Sequence, residues 1–224
     1  MNRLHRITLL IGKENVQKLQ QSTVMVVGCG AVGSFAIEAL ARSGVGHIVL
    51  IDFDVSEESN INRQLFALSS TIGQSKVEIA CARIHDINPD IIVDAINIFF
   101  DENTKIDIKP DFVIDAIDSV QSKIALYKWC QENSVPFISS MGAARKTDPT
   151  KIKIAKISKT TVCPLASKIR HIVRDEKLKD FPVVYSTEPA APQPNGGREF
   201  GSIITVTGMF GLMMADFAIK KLIS

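Results

Sequence analysis

Apolar positions fall into short unbroken runs, and between them lie stretches with helical spacing; the two alternate along the first two-thirds of the chain. Val24–Val27 reads as a fully buried strand. Gly28–Gly33 then spells G-x-G-x-x-G, and Ser34–Arg42 continues at helical spacing until Gly44 and Gly46 stop it. His47–Ile51 is a second strand. Lys76 opens a helix with Val77, Ile79, Ala80 and Ile84 on one face, ending at Asn88-Pro89, because the residue before a proline is pushed out of the helical region. Ile91–Ile98 alternates as a strand, and Asp101–Pro110 is a polar excursion. Phe112–Ile114 and Pro136–Ser140 are further strands, with a helix over Val120–Asn133 between them. Unbroken apolar strands separated by helices predict a parallel sheet covered on both faces.

Both ends depart from this rhythm. Arg3–Gln21 has a basic start (Arg3, His5, Arg6), an apolar stretch to Ile11 and an amphipathic helix from Lys13. This segment is either a helix docked over the sheet edge or an arm that brings Arg6 to a phosphate, across to a partner subunit. Beyond Gly142, Ile152, Ile154 and Ile157 predict an antiparallel strand with lysines outward. A helix over Leu165–Glu176, a short strand Val183–Ser186 and a Pro/Gly-rich loop at Pro189–Gly197 follow, the loop expected to be extended at the active face. Phe200–Ala215 carries no charge, but its sixteen residues fall short of the roughly 20 that span a bilayer. It is expected as a core helix on the sheet, with no membrane insertion. The fold class is therefore α/β: a Rossmann-like, mostly parallel sheet flanked by helices, with a small antiparallel C-terminal extension. One domain, 1–224, is expected. Its parts are an N-terminal arm and helix (1–22), a nucleotide-binding core (23–142), and a basic substrate-binding extension with the C-terminal helix (143–224).

Composition changes this picture little: with 46% hydrophobic and 22% charged residues, the 224-residue chain can bury a sizeable core. Cys29, Cys81, Cys130 and Cys163 are scattered with no C-x-x-C pair, so neither structural zinc nor a disulfide is expected. No apolar signal core opens the sequence, which points to the cytoplasm. Charge is more telling. Arg145–Lys179 carries eleven Lys/Arg against three Asp/Glu, a local +8 that leaves −6 for the rest. Such a segment suits a polyanionic partner, or is a set of solvated lysines on strand and helix faces.

The chemistry starts at the glycines, which permit a tight turn and close backbone approach while the next helix's free N–H groups face a phosphate. Asp52, nineteen positions after Gly33, is where a carboxylate holds a ribose hydroxyl. A nucleotide is thus bound, used for hydride transfer, or split at a phosphate. The loop Asp54–Gln64 is rich in side-chain amides and follows the second strand, where an open α/β sheet keeps its ligand crevice. Lys76 at a helix start is electrostatically disfavoured unless an anion lies nearby. Asp115 and Asp118 follow the Phe112–Ile114 strand, with Ser119 or Asp118 available as a helix cap. Hydride transfer leaves the phosphates untouched, whereas adenylyl transfer needs cations and a carboxylate for magnesium. Arg63, Lys76 and Asp118 supply that second set.

Taken together, Gly28-x-Gly30-x-x-Gly33, Asp52-Phe-Asp54, Ser59-Asn60-x-Asn62-Arg63-Gln64, Gly73-Gln74-x-Lys76 and Asp115-x-x-Asp118 resemble the ubiquitin-activating-enzyme-like (ThiF/MoeB/HesA-type) adenylyltransferases over Arg3–Gly142. The resemblance implies ATP in a cradle of Gly28, Gly30, Ala31, Val32 and Gly33, with its ribose on Asp52. It places Asp54, Asn60, Arg63, Gln64 and Lys76 around the nucleotide and magnesium on Asp118. Arg63, Lys76 and Asp118 would be catalytic, joined by Arg6, or else Arg3, from the partner in a homodimer. Within that family the chain is most similar to the branch that dehydrates threonylcarbamoyladenosine in tRNA. The shared pattern includes Ile114-Asp-Ala-Ile-Asp-Ser119, Asp148-Pro-Thr150, Lys159-Thr-x-x-x-Pro-Leu-Ala166 and Tyr185-Ser-Thr-Glu188. This likeness implies ATP-dependent activation of the threonyl carboxylate, ring closure by the modification's own nitrogen, and release of AMP. No cysteine stands just before Tyr185-Ser-Thr-Glu188, which argues against a thioester there and leaves Cys163 either as a thioester candidate or as a small apolar packing residue before Pro164. Three alternatives stand beside this one: adenylation of a sulfur-carrier protein's C-terminal glycine, non-catalytic nucleotide or tRNA binding, and NAD-dependent oxidoreduction. A sulfur- or electron-transfer partner is not specified by the sequence.

Overall fold

The computed structural model describes residues 3–192 and 200–224. Its seven strands are β1 (Thr23–Val27), β2 (His47–Ile51), β3 (Ile92–Ile96), β4 (Phe112–Asp115), β5 (Phe137–Ser140), β6 (Ile152–Lys156) and β7 (Pro182–Ser186), in the order β3-β2-β1-β4-β5-β7-β6. All neighbours are parallel except β6 and β7. The expected mostly parallel sheet with an antiparallel C-terminal extension is observed.

Burial explains why the central strands read as unbroken apolar runs. Val24 and Val26 of β1 enter the core on one face, and Met25 and Val27 enter the core on the other. Helices α3 (Gly33–Ser43), α4 (Lys76–Ile87) and α7 (Ile204–Ile223) cover the first face; α5 (Val120–Glu132) and α6 (Pro164–Asp175) cover the second. The edges differ. β3 spans Ile92–Ile96, shorter than the alternation over Ile91–Ile98 predicts, and Ile92 is exposed. At the opposite edge Lys153 and Lys156 point outward as expected, which guards the unpaired side of β6.

The charge-free C-terminal stretch enters a helix only from Ile204, and that helix, α7, runs on past Asp216 to Ile223; it packs closely on α3. A Cβ at Gly211 would lie 2.2 Å from the Val32 carbonyl oxygen, so the two helices approach backbone to backbone. Among the described residues no helix is long and apolar enough to cross a membrane. The apolar start is a helix of its own, α1 (His5–Ile11), joined to α2 (Lys13–Gln21) at Gly12, whose φ of 85° favours glycine. Of the Pro/Gly-rich loop, Gln193–Gly197 lies outside the described residues.

Candidate nucleotide site

The sheet reverses its winding between β1 and β4, and an open α/β sheet keeps its ligand crevice at the carboxyl ends beside such a switch. The two strand ends touch there: a Cβ at Gly28 (φ 94°) would meet the Ala116 carbonyl oxygen at 2.7 Å, and one at Gly33 would meet the Gly28 oxygen at 1.7 Å. These glycines fold the loop back on itself so that α3 begins directly beneath it. The first turn of α3 has no side-chain cap, and the N–H groups of Ala31, Val32 and Gly33 have no partner among the described residues. Unsatisfied donors at a helix start form an anion site.

Asp52 is fixed beside this cradle. One carboxylate oxygen accepts from the Cys29 N–H at 2.6 Å and the other from the Asp54 N–H at 2.9 Å. Each oxygen keeps a further lone pair for a ribose hydroxyl. Asp54 meets the Lys76 ammonium at 2.7 Å, which supplies the anion that a lysine at the start of α4 calls for.

The amide-rich loop reaches the cradle through Ser34 of α3, whose buried hydroxyl accepts from the Leu65 N–H at 3.1 Å. Ser34 bears no mark in the sequence that would single it out, since a serine inside a helix has no distinguishing signal. Gln64 is buried with its amide nitrogen 3.6 Å from where a Gly30 Cβ would stand. Asn60 is also buried; its Oδ1 accepts from the Glu57 N–H at 3.3 Å and closes a short 3-10 turn, so its side chain shapes the loop. Arg63 donates through Nη1 to the Ser59 carbonyl at 2.6 Å and to Asn62 Oδ1 at 3.0 Å.

The two carboxylates after β4 take opposite orientations. Asp118 is exposed on the crevice side with no partner among the described residues, and Ser119, not Asp118, caps α5 by accepting from Ser122 N–H. Asp115 turns inward, although its strand-end position suggests a ligand-facing group. It is fully buried, pairs with Lys123 at 2.8 Å, accepts from Ser139 Oγ at 2.6 Å, and through Oδ1 accepts from the Ile117 N–H at 3.1 Å. Tyr127 joins through Ser139 at 2.6 Å, and burial pushes its phenol well above the ordinary value.

Arg6 lies at the far end. Leu4 packs against Gly44 and Arg3 donates to the Ile87 carbonyl, both beside the starts of β2 and β3, so α1 sits at the amino ends of the strands. Arg6 is exposed and has no partner among the described residues, and its helix lies at the end of the sheet opposite the crevice. Cys29 is buried in the cradle, where burial first and Asp52 second push its thiol well up. Cys163 is buried in the second core among apolar neighbours, the environment of a packing residue.

Two motifs of the extension meet. The Glu188 carboxylate accepts from the Thr147 N–H, the Thr147 hydroxyl and the Asp148 N–H at 3.0–3.1 Å. The Asp148 and Thr147 donors hold Glu188 below the usual glutamate range. Lys146 is buried and donates to the Glu188 carbonyl, and Arg170 donates to the Thr160 carbonyl at 2.9 Å. Lys146, Arg145 and Arg170 are thus drawn into the fold, whereas the other eight cations of the basic segment (Lys151, Lys153, Lys156, Lys159, Lys168, Arg174, Lys177 and Lys179) are exposed.

The ThiF family model matches residues 2–224. A tRNA threonylcarbamoyladenosine dehydratase of Bacillus subtilis is 50% identical over 207 residues, covering 90% of this chain and 82% of that protein. The protein of the same name from Escherichia coli is 35% identical over 244 residues, covering 96% and 91%. The crystal structure of the E. coli tRNA N6-threonylcarbamoyladenosine dehydratase in complex with ATP superposes with a TM-score of 0.92 at 36% identity, covering 98% of this chain and 93% of that one. With a family match along essentially its whole length and relatives of nearly its own size, this chain belongs to the ThiF family.

Proposed function

We propose that this chain is an ATP-dependent tRNA-modifying enzyme that dehydrates threonylcarbamoyladenosine beside the anticodon. The observation that carries this reading is an uncapped helix start at the carboxyl ends of the strands, with Arg63 and Lys76 on the segments that follow β2 and an unpartnered Asp118 after β4, within a chain that matches threonylcarbamoyladenosine dehydratases along nearly its whole length. ATP sits with its phosphates on Gly28–Gly33 and its ribose on Asp52; Asp54, Asn60 and Gln64 shape the surrounding loop. Arg63 grips phosphate oxygens as a planar fork, and Lys76, shared with Asp54, contributes a point charge. Asp118 fits magnesium: it is an exposed carboxylate with no partner among the described residues, and this cation is held by one or two carboxylates together with substrate phosphates. Bound there, magnesium would neutralise charge building on the phosphates.

The threonyl carboxylate attacks the α-phosphorus and pyrophosphate leaves; the modification's own nitrogen then attacks the activated carbon, and AMP departs with the carboxylate oxygen. The nucleophile is already tethered to its target, so proximity replaces an enzyme thiol. This agrees with Cys29 and Cys163 being buried. We assign residues 143–224 to tRNA, in the cytoplasm, and 23–142 to the nucleotide. We further propose a homodimer in which Arg6 completes the partner's site. It is supported by Arg6 lying away from its own crevice and by Leu9 and Leu10 standing exposed beside it at 68% and 84%.

The test is incubation with ATP, magnesium and tRNA carrying the modification, followed by nucleoside mass spectrometry. Loss of one water with AMP release is expected. AMP formed only on a small carrier protein's C-terminal glycine would favour the alternative adenylyltransferase, and tight NADH binding without AMP release would overturn both.

A further inference from the structure

Arg145 follows β5 with a φ of 60°, a left-handed backbone that costs a non-glycine residue roughly 1 kcal/mol or more. That conformation lets one residue hold two distant segments. Its N–H donates to the Gly201 carbonyl and its carbonyl accepts from the Ala191 N–H, each at 2.8 Å. Its Nε donates to the Ala191 carbonyl at 2.7 Å, and its guanidinium lies 5.9 Å over the Phe200 ring. The next residue along, Ser202, offers its carbonyl to Asn62 Nδ2 at 3.2 Å, while Asn62 Oδ1 accepts from Arg63 Nη1 at 3.0 Å.

The amide orientation follows from chemistry, since a guanidinium carries no acceptor. Asn62 must turn its oxygen to Arg63, which leaves its NH2 for Ser202. An unbroken path therefore runs from the extension to the arginine in the nucleotide crevice: Arg145, Phe200–Ser202, Asn62, Arg63.

We propose that Arg145 and Asn62 are positioning residues that set the orientation of Arg63 from the substrate-binding extension, so that the nucleotide site and the acceptor side are coupled. The inference rests on Arg63 contacting the nucleotide phosphates. When Phe200–Ser202 moves, Asn62 carries the shift to the guanidinium, because one short amide group makes both hydrogen bonds. Neither Arg145 nor Asn62 needs to touch ATP.

The test is a double-mutant cycle on affinity for a non-hydrolysable ATP analogue, measured with the full chain. Arg145→Ala and Asn62→Ala are each expected to weaken the analogue roughly three- to tenfold, the range over which changes along a contact path alter coupling between sites. The double variant is expected to be no weaker than the worse single one, since both cut the same path. Asn62→Asp isolates the outer half: it keeps an acceptor for Arg63 and loses the donor to Ser202, so it should weaken the analogue as Arg145→Ala does. Thermal melting of the exposed Asn62 variants should be unchanged, which separates positioning from folding. Unchanged analogue affinity in Arg145→Ala, or additive losses in the double variant, overturns the relay. If Arg63→Ala itself leaves affinity unchanged, the phosphate-contact reading of Arg63 fails, and the relay with it. If Arg63→Ala weakens binding while Asn62→Ala does not, only the relay fails.

Discussion

Asp115 and Asp118 stand three residues apart after one strand and look alike in sequence, yet burial gives them different consequences. Asp118 is exposed and unpartnered, so removing its carboxylate disturbs no fold contact; Asp118→Ala is expected to abolish AMP formation with an unchanged Tm. Arg63→Ala should behave the same way, because its bonds to Ser59 and Asn62 are exposed ones. Asp115→Ala strands the Lys123 ammonium, which is fully buried, and losing one partner of such a pair costs roughly 3–5 kcal/mol. Its Tm should fall, and any lost activity should follow the unfolding. Activity in Asp118→Ala would remove its metal role; an unchanged Tm in Asp115→Ala would remove the structural one. The sequence could not separate them, because the groups that turn Asp115 inward arrive from Lys123 on the next helix and Ser139 on the next strand. A pH effect belongs at this scale too. Glu188 is held below its ordinary value by Asp148 and Thr147, so its contribution is complete above the unfolded glutamate value and is lost as pH falls through the lower folded one. A carboxyl NMR titration should show Glu188 ionising below the model-peptide value near 4.3, and Glu188→Gln should loosen Thr147 and Asp148 above that transition while matching the parent protein below it.

Among the elements, the cradle and the α3–α7 contact share one device, glycine used for backbone approach. At Gly211 an added Cβ would collide with the Val32 carbonyl oxygen, an oxygen fixed in backbone that cannot swing away. Gly211→Ala is expected to cost about 1–3 kcal/mol by overpacking, and, since Val32 lies in the cradle, to weaken ATP binding as well. Calorimetry with and without nucleotide checks both. A lower Tm with unchanged affinity would mean that the cradle is insulated from α7. Most of these elements were legible from pattern alone. Buried parallel strands need apolar residues on both faces, so β1, β2 and β4 stand out, and Ser75–Lys76 and Asn88-Pro89 bracket α4. β3 was overextended because an edge strand buries little, and its alternation carries on past the last residue that pairs with β2. The motifs also gave Gly28, Gly33, Asp52 and Asp118 their places on one rim. What pattern could not give were contacts between distant segments, such as Ser34 with Leu65 or Asn62 with Ser202, since neither partner bears a periodic mark.

On the scale of the whole molecule, the basic segment and the N-terminal arm make separable claims. Lys153 and Lys156 stand outward on the β6 edge, and each phosphate contact they make should add to the salt dependence of tRNA binding. Replacing both by Glu should weaken tRNA at every sequence, lower the slope of log K against log salt by about 1 for each lysine, and leave ATP affinity alone. The arm poses a different question, because Arg6 lies at the amino ends of the strands and the crevice at their carboxyl ends. In the proposed homodimer a two-fold partner would close that gap, since an isologous interface would give each arm to the other's site. Arg6→Ala and Arg63→Ala homodimers should then each be inactive. Mixing them in equal amounts and allowing exchange yields half heterodimers, each with one site built from an intact Arg63 and the partner arm's intact Arg6, so about a quarter of the parent rate should return. Recovery must track the heterodimer fraction seen by native mass spectrometry. If mixing restores nothing while heterodimers form, Arg6 does not act in trans, and with its helix at the end of the sheet opposite its own crevice it would have no part in the reaction.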